Sequence, residues 1–183
     1  LQRTVRRLGT AARTIVAGSG VSVTDNGTTI TIAATATTPS TAPVFAVKSS
    51  DQTLIGTAFT DVSATGLAVS ANKTYWFKFL ILVDADATTT GIDIAVNGPA
   101  GATRLAYKQF YYTSATASGV RGASAYDSNT ANTASNGTAV RAFEVEGVLV
   151  NGANPGNLTA RAKRDAVGTG PNVRAGSFGM LVQ

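Results

Sequence analysis

Four groups of side chains in this sequence have types and spacings that could do chemistry. Asp84 and Asp86, with Asp93 nearby, could gather hard carboxylate oxygens around a calcium ion. Counted from Asp84, however, the position that a twelve-residue calcium loop gives to Gly is Thr89, and the position of its bidentate Glu is Ala95. The expectation is therefore a strand-end loop whose Asp side chains bond the backbone, with no metal and no cofactor. Glu144 and Glu146 could act as the acid and nucleophile of a glycoside hydrolase, but two outward carboxylates on one strand also discourage edge-to-edge aggregation, and that reading is preferred. Trp76, Tyr107 and the run Gln109 to Tyr112 supply rings that could stack on a sugar or a base, or fill a core or a subunit interface. Tyr111 and Tyr112 are neighbours, so on a strand they point to opposite faces, and at least one is expected to be accessible as a ligand contact. The fourth group is Arg3, Arg6, Arg7 and Arg13, which could neutralise nucleic-acid phosphates or pair with carboxylates of an acidic protein surface.

What is missing narrows these choices. The chain has no His, so the commonest general base and zinc ligand is absent, and it has no Cys, so thiolate chemistry and disulfides are excluded. Phosphate-binding loops, nucleophile elbows and zinc-ligand spacings are also absent from the sequence. An enzyme is not expected. Of 15 basic residues, the four arginines precede the first acid, Asp25, which leaves 11 to face 10 acidic ones, so the net charge of +5 belongs to the N-terminus. Leu1, Val5, Leu8 and Ala12 are interleaved with those arginines at helical spacing, and an extended arm fits equally well. The apolar ladder beside the charges favours anchoring on protein; nucleic acid and membrane are not expected as partners. The most apolar run, Tyr75 to Val83, contains Lys78 and is far shorter than the roughly 20 residues of a membrane-spanning helix. The N-terminal stretch lacks the apolar core of a secretory signal, so export by one is not expected, and the Asn-x-Thr sequons at Asn26, Asn72, Asn136 and Asn157 carry no weight.

The elements that must position these groups read as strands throughout. Val21 and Val23 alternate with polar residues, Asp25-Asn26-Gly27 supplies a turn, and Ile30 and Ile32 alternate again, which predicts a β-hairpin. An isolated hairpin with so narrow an apolar face is marginal in water, so it is expected to pair with copies of itself or with another chain. Ala33 to Pro43 is rich in Thr, Ala and Pro and has no large apolar residue, which marks a boundary: residues 1–38 form the anchoring arm and hairpin, 39–43 the linker, and 44–183 a β-sandwich domain. From Val44 onward, candidate strands recur between turn-prone segments, including Tyr75 to Val83, Ile92 to Val96, Thr103 to Tyr112 and Thr138 to Val150. In the last of these, Val140, Ala142, Glu144 and Glu146 share one face, while Phe143, Val145 and Gly147 share the other. Eight to eleven short strands imply an all-β sandwich or jelly roll.

Residues 17–32 (AGSGVSVTDNGTTITI) resemble the short β-repeats of tailed-bacteriophage fibre and head-decoration proteins. Residues 49–62 (SSDQTLIGTAFTDV), 72–79 (NKTYWFKF), 84–99 (DADATTTGIDIAVNGP) and 168–182 (GTGPNVRAGSFGMLV) look like small phage virion proteins of the head-decoration, or cement, and tail-fibre type. The resemblance implies a homotrimeric jelly-roll-like module without a cofactor, mounted through its N-terminal part on the major capsid protein or another virion protein and assembled in the host bacterial cytoplasm. It carries over no binding residue. The expected function is that of a capsid decoration protein; the alternative is a tail-fibre module that holds host surface polysaccharide.

Overall fold

The computed structural model describes residues 21–34, 42–85, 90–114, 116–129, 138–165 and 170–183, and the chain divides into two compact units, 1–40 and 41–183. In the first unit Val21–Asp25 (β1) and Ile30–Ala34 (β2) form an antiparallel hairpin, with Val21 paired to Ala34, Val23 to Ile32 and Asp25 to Ile30. This alternation puts Val23, Ile30 and Ile32 on one face, where Ile30 and Ile32 are 51% and 62% exposed. The turn is a four-residue loop rather than a tight two-residue one. Gly27 alone in it takes a positive φ, of 84°, and the Asn26 side chain organises the rest: its Oδ1 accepts the backbone N–H of Thr28 (3.1 Å) and of Thr29 (2.7 Å). Asn26 thus acts through its side chain and not through a left-handed backbone.

The second unit is all-β among the described residues, with two facing sheets. Its strands are Val44–Val47 (β3), Gln52–Thr53 (β4), Thr60–Asp61 (β5), Leu67–Val69 (β6), Thr74–Asp84 (β7), Ile92–Asn97 (β8), Arg104–Tyr112 (β9), Ser118–Ala123 (β10), Arg141–Val150 (β11), Gly156–Arg164 (β12), Asn172–Val173 (β13) and Phe178–Val182 (β14). The large sheet runs β10-β9-β11-β7, after which the free edge of β7 is shared by β14 along Trp76 to Leu80 and by β13 at Val83 and Asp84; β3 lies beyond β14 and β4 beyond β13. In the small sheet β12 has β8 on one side and β5 and β6 on the other.

Period-2 alternation explains the core. On β7 Tyr75, Phe77, Phe79, Ile81 and Val83 turn inward and are buried, meeting Phe143, Val145 and Leu149 of β11, Leu105 and Tyr107 of β9, and Ile92, Ile94 and Val96 of β8 across the interior. Each fully buried side chain of this size contributes about 1.5–3 kcal/mol. Two inward glycines make room for the rings. A Cβ on Gly147 would lie 2.4 Å from the Tyr107 Cβ and 2.3 Å from the Ala106 carbonyl, and one on Gly179 would lie 2.6 Å from the Phe79 ring. Gly147 sits opposite both Phe77 and Tyr107, whose rings pass 6.4 Å apart. Gln109, 1% exposed, ties the interior to the loop after β10: its Nε2 donates to the carbonyls of Ile94 (2.5 Å) and Ser128 (3.0 Å), and the Asp127 N–H reaches Val96.

Candidate functional site

The two sheet faces of β7 and β11 differ in what covers them. Inward residues pack; the outward ones line up in rows across the large sheet. Strand register gives one row of Val182, Trp76, Val148 and Ala106, a second of Phe45, Met180, Lys78, Glu146 and Lys108, and a third of Val47, Phe178, Leu80, Glu144, Phe110 and Val120. Phe45 and Val47 are each 58% exposed, Val120 64% and Val148 38%. Charge on these rows is confined to the middle strands. There Lys78 bridges Glu144 (2.9 Å) and Lys108 bridges Glu146 (3.5 Å), so opposite charges cancel between two apolar ends. At the β9/β10 end a depression of about 230 Å3 is lined by Lys108, Phe110, Val120 and Glu144. At the other end β3 pairs with β14 only, which leaves the uncharged sequence Val-Phe-Ala-Val as an open edge among the described residues.

The sequence-derived candidates fall into place around this face. Glu144 and Glu146 do share a strand face, and each holds a lysine. Tyr111 lies over Gly119, whose Cβ would come within 2.9 Å of its ring, and Tyr112 meets Phe110 and Phe143 edge-on at 5.4 and 5.5 Å with the Arg141 guanidinium 4.9 Å above it. Both residues are half-buried, and their rings are in contact with other groups of the protein. Tyr107 is buried, donates its hydroxyl to Ala125 (2.9 Å), and has its phenol pKa raised by that burial. Trp76 lies half-buried on the outward face.

Asp84 and Asp93 do not converge. Asp84 ends β7 in the large sheet and pairs with Arg174, whereas Asp93 lies on β8 in the small sheet and pairs with Lys163 at 3.5 Å. Asp84 and Asp93 each meet a cation. Among the described residues no three His, Cys, Asp or Glu side chains cluster as a metal site. Asp86 and Arg3, Arg6, Arg7 and Arg13 lie outside the described residues, and Val21, Val23, Ile30 and Ile32 form the hairpin already given.

Three polar clusters were not foreseen from the sequence. Arg174 joins Asp84 to Asp51 (2.6 Å), and Asp51 also accepts the Ala175 N–H at 2.8 Å; that hydrogen bond first, and the guanidinium second, hold the Asp51 carboxyl below its usual pKa. The same two carboxylates push the Arg174 pKa up, Asp84 more than Asp51. Arg161 joins Asp61 (3.1 Å) to Asp127 (2.5 Å) and donates to the Phe59 carbonyl. Lys48, only 1% exposed, follows directly on β3, and its ammonium donates to Gln52 and Ser63; burial lowers its pKa, partly offset by Asp51. Arg174, Arg161 and Asp51 reach partners far away in sequence, up to 124 residues for Asp51 and Ala175, and no local spacing signals those pairs.

Comparison with protein families, with curated proteins and with solved structures finds no match for this chain. The functional reading therefore rests on its own residues.

Proposed function

We propose that this chain is a non-catalytic structural component of a virion, a capsid decoration or cement protein of the tailed-phage type. In this reading the arm and hairpin, residues 1–33, dock between copies of the major capsid protein. The jelly-roll-like sandwich associates as a homotrimer on the capsid surface and clamps the shell against internal pressure. The observation that carries the reading is the disposition of apolar and charged groups. The sandwich turns apolar rows outward at Phe45, Val47, Val120 and Val148, while the carboxylates with the best spacing for chemistry, Glu144 and Glu146, are engaged by Lys78 and Lys108. Such a surface suits assembly. The resemblance of residues 17–32, 49–62, 72–79, 84–99 and 168–182 to head-decoration and fibre proteins, and the concentration of positive charge before Asp25, support the same reading.

The test is to assemble capsids with and without the protein and challenge them with heat and low salt. Complete capsids are expected to survive conditions that break the bare ones, and Arg3→Ala, Arg6→Ala, Arg7→Ala and Arg13→Ala in one variant is expected to abolish attachment. Equal survival of bare and complete capsids would rule out the cement role.

A further inference from the structure

We infer that the outward face of the large sheet is a head-to-tail contact between copies of this chain. The open edge strand β3 of one copy, through Phe45 and Val47, seats in the Phe110/Val120 depression of the next. This rests on the self-assembling reading above and names the surface that performs it. Three features of the face lead to it. First, its two ends differ in shape: β3 presents exposed side chains on an open edge, whereas the far end holds the depression of about 230 Å3. Two unlike patches on one molecule form a heterologous contact, and such contacts close into rings when the rotation between copies allows.

Second, the charges match an apolar, neutral occupant. Lys108 and Glu144 rim the depression, but each is already bridged, to Glu146 and Lys78, and the incoming Val-Phe-Ala-Val strand carries no charge. Packing two whole faces together would instead bury both bridges at the centre of the contact, at a desolvation cost that their attraction rarely repays. A nucleic acid would meet Glu144 and Glu146, and a lipid surface would have to desolvate them. Third, the two patches are well separated. At about 4.8 Å per strand, the six strands from β10 to β3 span roughly 24 Å, so the socket and the edge strand of one copy can engage two different neighbours.

Sedimentation velocity and native mass spectrometry of the full chain test this, using wild type, Phe45→Asp and Val120→Asp. Both substituted positions are more than half exposed, so each variant keeps its fold, as circular dichroism will verify. Wild type is expected to form a closed oligomer and each variant a monomer. An equimolar mixture of the two variants is expected to form a one-to-one dimer, because one copy keeps its socket and the other its edge strand. A wild type that remains monomeric throughout the micromolar range overturns both this contact and the self-assembly in the reading above. An oligomer that neither substitution disturbs overturns the contact alone. A mixture that stays monomeric while wild type assembles overturns the head-to-tail geometry. Capsids indifferent to an oligomer that behaves as expected would remove the cement role and leave the contact standing.

Discussion

On β7, Phe77, Phe79 and Ile81 face inward and are fully buried, while Trp76, Leu80 and Leu82 alternate with them on the outward side and keep part of their surface in water. β14 repeats the contrast, with Leu181 inward and Phe178, Met180 and Val182 outward. The small sheet behaves differently. On β12 the inward Leu158, Ala160 and Ala162 alternate with the outward Thr159, Arg161 and Lys163, the polar-out pattern of a sheet with one wet side. The inward residues of both sheets are explained by one core. The outward residues of the large sheet are not. Two apolar faces on one strand are the pattern of a sheet covered on both sides, and the proposed contact between copies would supply the second cover.

Substitutions can break this contrast in order of effect. Phe79→Ala on the inward face is expected to cost about 3–5 kcal/mol by chemical denaturation, whatever the state of assembly. Arg174→Met comes next. It leaves the Asp84 carboxylate, 8% exposed, without its cation, and because Arg174 itself is partly exposed the loss is expected to be smaller than that of Phe79→Ala, read as a lower denaturation midpoint at neutral pH. On the outward face Lys78→Met removes one bridge with its partner Glu144 partly exposed; the expected change is about 0.2–1 kcal/mol, shrinking as salt is raised. A Lys78→Met effect as large as that of Phe79→Ala would mean that the outward face is not what distinguishes the two sides.

The smallest effect is one that fades on acidification. The Asp51 carboxyl is held below its ordinary value by the Ala175 N–H and then by Arg174, so its contribution is complete above an unfolded-state pKa of about 3.9 and fades as pH falls through the lower folded-state value. Thermal unfolding of Asp51→Asn against wild type is therefore expected to differ at neutral pH and to converge in acid. A gap that widens in acid would reverse the sign.

The strands were legible because alternation is local. Tyr75 to Val83 and Ile92 to Val96 announce themselves in single windows, and the inward and outward parity of Phe143 through Gly147 follows from the sequence alone. The compact units divide the chain between Ser40 and Thr41, within the run from Ala33 to Pro43 that has no large apolar residue. The hairpin was legible, whereas the hydrogen bonds that the Asn26 side chain makes inside its turn were not. Long-range polar pairs were illegible. Nothing near Asp84 in sequence foretells Arg174, and nothing near Lys48 foretells its burial, because both depend on how distant strands are brought side by side. Tyr111 and Tyr112 illustrate the limit of parity: it assigns opposite sides, but not the Gly119, Phe143 and Arg141 that occupy the two rings. One signal was present and went unused. TYWFKFLILVD is apolar on both parities, which marks a strand meant to be covered on both faces.

Met180, the chain's one methionine, lies beside Phe45 on the outward face and half-exposed, so it reports directly on whether that face is covered. The most direct measurement is its oxidation rate by hydrogen peroxide across a dilution series of the intact protein. If another copy covers the face, oxidation slows as concentration rises and assembly forms, and Phe45→Asp removes the dependence. A rate that is independent of concentration, in a sample shown to be assembled, would contradict the account.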